Sequence, residues 1–189
     1  MLPQNTHKRR ASLRLAGYDY TQAGAYFVTM CTYGQQCILG HVSDETMILN
    51  KLGQIVDEEW MRSAEIRSEI DVDVHVVMPN HLHAIVVINP GDGVVNKARL
   101  RKEHHDLSGS SQKSGLMKRS LGSFIAGFKS AVTKRNNALS EKSQKSVWQR
   151  NYYDHIIRND DDLARVREYI INNPAHWQKD RFHPIFGKG

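Results

Sequence analysis

The chain has 189 residues, 40% hydrophobic and 24% charged, a balance that excludes a wholly disordered chain and suits the core of one domain spanning residues 1–189. No apolar run approaches the ~18 residues that a membrane-spanning helix needs, and two cysteines, Cys31 and Cys37, are too few to staple the chain, so a cytoplasmic protein with reduced thiols and no membrane partner is expected. The net charge of +6 is unevenly held, with 7 Lys/Arg against 10 Asp/Glu in residues 1–90 but 13 against 3 in residues 97–150, a block that either attracts polyanions such as nucleic acid or forms a solvated basic face.

The stretch up to Gly24 is polar and basic, and its first ten residues carry no apolar segment behind Lys8, Arg9 and Arg10, which predicts no secretory leader. Residues 25–32, rich in β-branched and aromatic side chains and closed by Gly34, read as a strand. In residues 51–66, Leu52, Ile55, Val56, Trp60 and Ile66 fall roughly on one stripe, which predicts an amphipathic helix. Residues 71–78 and 81–88 are Val/Ile-rich runs split by Pro79-Asn80, the pattern of an antiparallel hairpin. Residues 89–115 lack periodicity and read as a flexible insertion. Leu121, Phe124, Ile125, Phe128 and Val132 restore helical spacing, with Lys118, Arg119, Lys129, Lys134 and Arg135 as cationic decoration. Residues 148–157 read as an irregular aromatic strand, and Asp160, Asp161 and Asp162 open a last helix that Pro174 stops. The order β-α-β-β-α-β-α predicts an α+β fold, one antiparallel sheet with helices on one face.

His81 and His83 stand at i and i+2 of a strand, so both imidazoles point to one face while Leu82 points to the other. Two imidazoles with added oxygen ligands suit a divalent ion that keeps open positions for substrate, although this spacing alone also fits a chance surface pair. His75, alternating with valines, reads as a packed or supporting histidine, and His104-His105 sits in the insertion. On the last helix Tyr169 and Asn173 are four apart and share one side, flanking the expected buried arc of Leu163, Val166, Ile170 and Ile171. A tyrosine there is either a reachable phenol or a core-edge residue. Trp148, Arg150, Tyr152 and Tyr153 suit either stacking on unpaired bases or the edge of the core. No serine, cysteine or lysine sits in a nucleophile motif, and Gly91-Asp92-Gly93 lacks the later glycine of a nucleotide cradle.

Taken together, these segments resemble a known family. Met78-Pro79-Asn80-His81-Leu82-His83 is similar to the His-hydrophobic-His motif of single-tyrosine HUH transposases. Residues 148–158, followed by Glu168-Tyr169-Ile170-Ile171-Asn172-Asn173-Pro174, and the opening segments 17–20 and 24–29, resemble the REP-associated tyrosine transposase branch. The resemblance implies a ferredoxin-like α+β fold. It also implies DNA transposition by a metal-dependent single-strand endonuclease and strand transferase. His81, His83 and Asn173 would hold Mg²⁺ or Mn²⁺, and Tyr169 would be the nucleophile that forms a 5′-phosphotyrosine, ahead of Tyr152 and Tyr153. Its partner would be single-stranded DNA with hairpins, often repetitive palindromic elements, met by Lys118, Arg119, Lys129, Lys134, Arg135, Trp148 and Arg150. Both monomers and homodimers occur in such a family. A non-catalytic nucleic-acid-binding module and a metal-assisted hydrolase without a covalent adduct are the alternatives.

Overall fold

The computed structural model describes residues 18–89, 119–139 and 146–185. The expected insertion at 89–115, His104, His105 and Lys118 therefore lie almost wholly outside the described residues, which in that stretch reach only Asn89. Among the described residues are six strands: β1 (Gly24–Cys31), β2 (Gly40–Ser43), β3 (Thr46–Leu49), β4 (Ile70–Met78), β5 (His81–Ile88) and β6 (Tyr153–Ile157). Three α-helices accompany them: α1 (Lys51–Ile66), α2 (Leu121–Leu139) and α3 (Asp160–Ile171).

Four strands form one antiparallel sheet in the order β4-β5-β1-β6, the strand order of a ferredoxin-like fold once the β2-β3 hairpin is set aside. The alternation of β1 and β5 sorts their side chains cleanly between two faces. Tyr26, Val28, Met30, Leu82, Ala84 and Val86 join Ile55, Val56 and Trp60 of α1 and Phe124, Ile125 and Phe128 of α2 in the larger core. Trp60 meets the rings of Phe124 and Phe128 edge-on, at 5.3 and 5.0 Å. On the opposite face Phe27 and Ile85 pack with Ile157 and with Val166 and Ile170 of α3.

The antiparallel α+β architecture is as expected, but the helices do not all share one face: α1 and α2 lie on one, α3 on the other. The reason lies in β5, buried almost throughout on both of its faces and apolar apart from His81 and His83, which a single helical layer would leave half exposed. The consequence is functional. His81, His83 and Ile85 point to the α3 side, and α3 carries Tyr169 to the same side.

The β2-β3 hairpin has no counterpart in the expected element order. Its turn residues Asp44 and Glu45 both adopt left-handed backbone, with φ 49° and 59°. Such a turn is normally signalled by Asn-Gly or Asp-Gly, and Asp-Glu gives no such cue. The hairpin delivers the chain to α1, where the Asn50 side chain caps the helix by accepting from Gly53 N at 3.0 Å. Gly53 is needed there, because a Cβ would stand 2.1 Å from the carbonyl oxygen of Leu39.

Two glycine substitutions should therefore act in opposite directions in urea denaturation. Gly53→Ala forces α1 away from fixed backbone and should cost about 1–3 kcal/mol. Gly127→Ala, where an added methyl meets nothing within 4 Å on the face of α2, should stabilise by up to about 1 kcal/mol. Equal midpoints for the two variants would contradict this packing.

Candidate active site

The turn Pro79-Asn80 launches β5, and both histidines are held from behind by their Nδ1 atoms. His81 Nδ1 lies 2.8 Å from Asn80 Oδ1, and His83 Nδ1 lies 2.8 Å from Thr29 Oγ1 on the neighbouring strand β1. Each ring thereby turns Nε2 inward, and the ring centroids stand 4.4 Å apart. Both residues are fully buried. Burial, reinforced by the Arg181 charge, pushes the His81 imidazole down to about 3, and burial with the neighbouring His81 holds His83 well below its ordinary value. At neutral pH both rings are uncharged and carry the lone pair that a ligand requires.

Helix α3 supplies the facing wall. Its start is set by Asn159, whose side chain accepts from Asp162 N at 2.8 Å, and by three aspartates in the first turn. Tyr169 is 43% exposed, with its ring against His83 and Phe27, and its hydroxyl lies 3.2 Å from His83 Nε2. Partial burial, aided by the Asp180 charge, raises the phenol above its usual value, so it is protonated at neutral pH. Asn173, one turn further along the chain, is buried, and its Nδ2 donates to Asp180 Oδ2 at 3.2 Å. That bond settles the orientation of the amide and leaves Asn173 Oδ1 buried without a partner among the described residues. His81 Nε2 is in the same condition.

Asp180 was not anticipated. It lies in the segment after α3, buried, with Oδ1 accepting from Phe182 N at 2.6 Å. Ligand atoms of His81, His83 and Asp180 all lie within 4.8 Å of one another. Two imidazole nitrogens, a carboxylate and an orphaned amide oxygen form a donor set that could hold a divalent cation. The orphaned atoms support that fit, since buried polar atoms ordinarily find partners. No spacing rule in the sequence pointed to Asp180, because a short 3₁₀ turn at Trp177–Lys179 carries it back to the site.

The residues expected at a DNA surface are divided. Arg119, Lys134 and Arg150 are exposed. Trp148 is only 3% exposed and packs 5.6 Å from Phe128, so it belongs to the core and offers no face to a base. Lys129 does not project freely either: its Nζ donates to the carbonyls of Gln149 and Asn151 at 2.9 and 3.1 Å, and burial lowers its ammonium to about 8. Arg135 bridges from α2 to Glu58 and Glu59 of α1. In each case a fold contact has claimed the group. His75 bonds Asp57 at 2.8 Å, on the α1 side of β4 and away from the histidine pair. Of the rival tyrosines, Tyr152 packs against the larger core, while Tyr153 lies on the α3 face, 6.3 Å from Phe27.

No family model matches the chain. An uncharacterized protein of Haemophilus influenzae is 37% identical over 179 residues, 94% of each chain. The chain belongs to the family of that protein. Among solved structures, a REP-associated tyrosine transposase bound to a REP hairpin is similar, with a TM-score of 0.55 and 19% identity over 84% of this chain and 70% of that one. The fold is thus that of a REP-associated tyrosine transposase, in agreement with the resemblance read from the motifs. No helix among the described residues is long and apolar enough to cross a membrane.

The depressed imidazoles make a prediction about acid. The folded protein refuses protons that the unfolded chain accepts below about pH 6.5, so stability contributed above that pH is lost on acidification towards about pH 3. In EDTA, the unfolding free energy from urea titrations should fall by up to about 1.4 kcal/mol per pH unit for His81 across that window, with His83 adding to the slope in the same direction. The variant His81→Asn/His83→Asn should show a shallower acid slope, and an unchanged slope would contradict the assignment.

Proposed function

We propose that this protein is a cytoplasmic, metal-dependent single-strand DNA endonuclease and strand transferase with Tyr169 as its nucleophile. The observation that carries the reading is the contact of the Tyr169 hydroxyl with His83 Nε2 at 3.2 Å, beside a buried His81-His83-Asp180 cluster. The shared fold with a transposase bound to a REP hairpin supports DNA as the partner.

In this reading His81 Nε2, His83 Nε2, Asp180 and the Asn173 amide oxygen are the ligands of Mg²⁺ or Mn²⁺. A divalent cation held there supplies Lewis-acid polarisation of a phosphoryl oxygen and fixes the phosphate in place. Asp180 also holds the Asn173 amide in its ligand orientation, and Thr29 and Asn80 hold the two rings. Tyr169 is exposed enough to meet a strand, yet packed on two sides by Phe27 and His83, which limits its rotamers. Its phenol gives up its proton as the oxygen attacks phosphorus in line, the bond from phosphorus to the 3′ oxygen breaks, and the departing 3′ oxygen takes up a proton, so the step is proton-neutral overall. The products are a 5′-phosphotyrosine and a free 3′-hydroxyl. The phosphoester is conserved, so the reverse step rejoins strands without a nucleotide cofactor.

The exposed cations Arg119, Lys134 and Arg150 contribute sequence-blind phosphate contacts in this account, with Lys118 as a further candidate. Contacts of that kind weaken as salt rises.

The proposal is tested with end-labelled hairpin oligonucleotides on denaturing gels, with Mg²⁺, Mn²⁺ or EDTA. Tyr169→Phe should lower cleavage by at least about 10³-fold while leaving hairpin affinity within about twofold. His83→Ala should abolish cleavage to a similar degree. Nicking retained by Tyr169→Phe would overturn the nucleophile, cleavage without an adduct would indicate a hydrolase, and binding without cleavage a non-catalytic module.

A further inference from the structure

We infer that Asn80 is a positioning residue of this site: it fixes the His81 ring as the tautomer protonated on Nδ1 and so aims the Nε2 lone pair at the cluster with His83 and Asp180. The inference rests on reading that cluster as a cation site.

Asn80 is buried at the β4-β5 turn. Its Nδ2 lies 2.7 Å from the carbonyl oxygen of Phe182 and 3.1 Å from that of Gln35. Carbonyl oxygens only accept, so this end of the amide is the NH₂; exchanging the ends would press oxygen against two oxygens. The other end, Oδ1, is therefore an acceptor, and it faces His81 Nδ1 at 2.8 Å. An acceptor there requires a proton on Nδ1. A neutral imidazole carries one ring proton, so Nε2 is left bare. That nitrogen is buried and has no partner of normal hydrogen-bond geometry among the described residues, although the Asn173 side chain also acts on this ring.

His83 offers the contrast. Its neighbours are the hydroxyls of Thr29 and Tyr169, at 2.8 and 3.2 Å, and a hydroxyl donates or accepts equally well. Those partners do not dictate its tautomer, whereas Asn80 dictates that of His81. The turn itself is held as firmly as the amide: Asn80 O accepts from Thr32 N at 2.9 Å and from Thr32 Oγ1 at 3.1 Å. One side chain thus ties the loop after β1, the β4-β5 turn and the segment after α3 to one imidazole.

The test compares the full chain with Asn80→Asp and Asn80→Leu. Long-range ¹H–¹⁵N spectra of the metal-free protein read the His81 tautomer, and titration calorimetry with Mn²⁺ alone reads affinity. The wild-type ring should be protonated on Nδ1. Asn80→Asp keeps an acceptor but sets a carboxylate against two carbonyls, so it should lose thermal stability while keeping the tautomer and holding Mn²⁺ affinity within a few-fold. Asn80→Leu should mix the tautomers and weaken Mn²⁺ binding about 10–100-fold. A wild-type His81 protonated on Nε2 overturns the inference without recourse to any variant, as does Asn80→Leu with unchanged tautomer and affinity. Failure of the underlying reading looks different: wild-type protein with the Nδ1 proton that takes up no Mn²⁺ overturns the cation site, and with it the part Asn80 plays there.

Discussion

Two imidazoles lie side by side in a place where neither can hold a positive charge. Burial at the start of β5 keeps His81 and His83 neutral, and two neutral rings at 4.4 Å leave buried lone pairs that need something to satisfy them. The rest of the site follows from that need. Asn80 and Thr29 take the outer nitrogens, and α3 closes the inner side with Tyr169. The segment after α3 returns Asp180 and Phe182 to the pair, with Phe182 only 4.7 Å from the His81 ring. An arrangement that leaves His81 Nε2 and Asn173 Oδ1 without partners is costly as an inert core and sensible as a cation site.

The sheet makes this possible through the two-sided burial of β5. Side chains that need cover on both faces bring α1 and α2 to one side and α3 to the other, so Tyr169 and the imidazoles meet across a helix–sheet contact. His81, His83 and Tyr169 thus stand on rigid elements, while Asn80, Asn173 and Asp180 come from turns that are pinned by their own hydrogen bonds.

Much of this was legible in the sequence because it rests on local periodicity. The alternation around His81-Leu82-His83 gave the shared face and the valine-rich runs about Pro79-Asn80 gave the hairpin, whereas the expected helical pair Tyr169/Asn173 is split, because α3 ends at Ile171 and Asn173 lies in the turn beyond it. What escaped depended on distant partners. Asp180 reaches the site through a short turn with no periodic signature, and the Asn80 amide finds its acceptors 45 and 102 residues away. Trp148 and Lys129 look alike in sequence whether they serve DNA or the fold; packing against Phe128 and bonding to the Gln149 and Asn151 carbonyls decided for the fold. The helix on the second face was missed because an apolar strand pattern shows that cover is required without showing which helix provides it.

The central claim is that Tyr169 takes the phosphate. The most direct measurement is mass spectrometry of protein incubated with a hairpin oligonucleotide and Mn²⁺, digested with nuclease and protease to leave a nucleotide remnant on the modified peptide. A 5′-linked nucleotide is expected on the peptide containing Tyr169. A remnant on the peptide of Tyr152 and Tyr153, with Tyr169 unmodified, would contradict the claim.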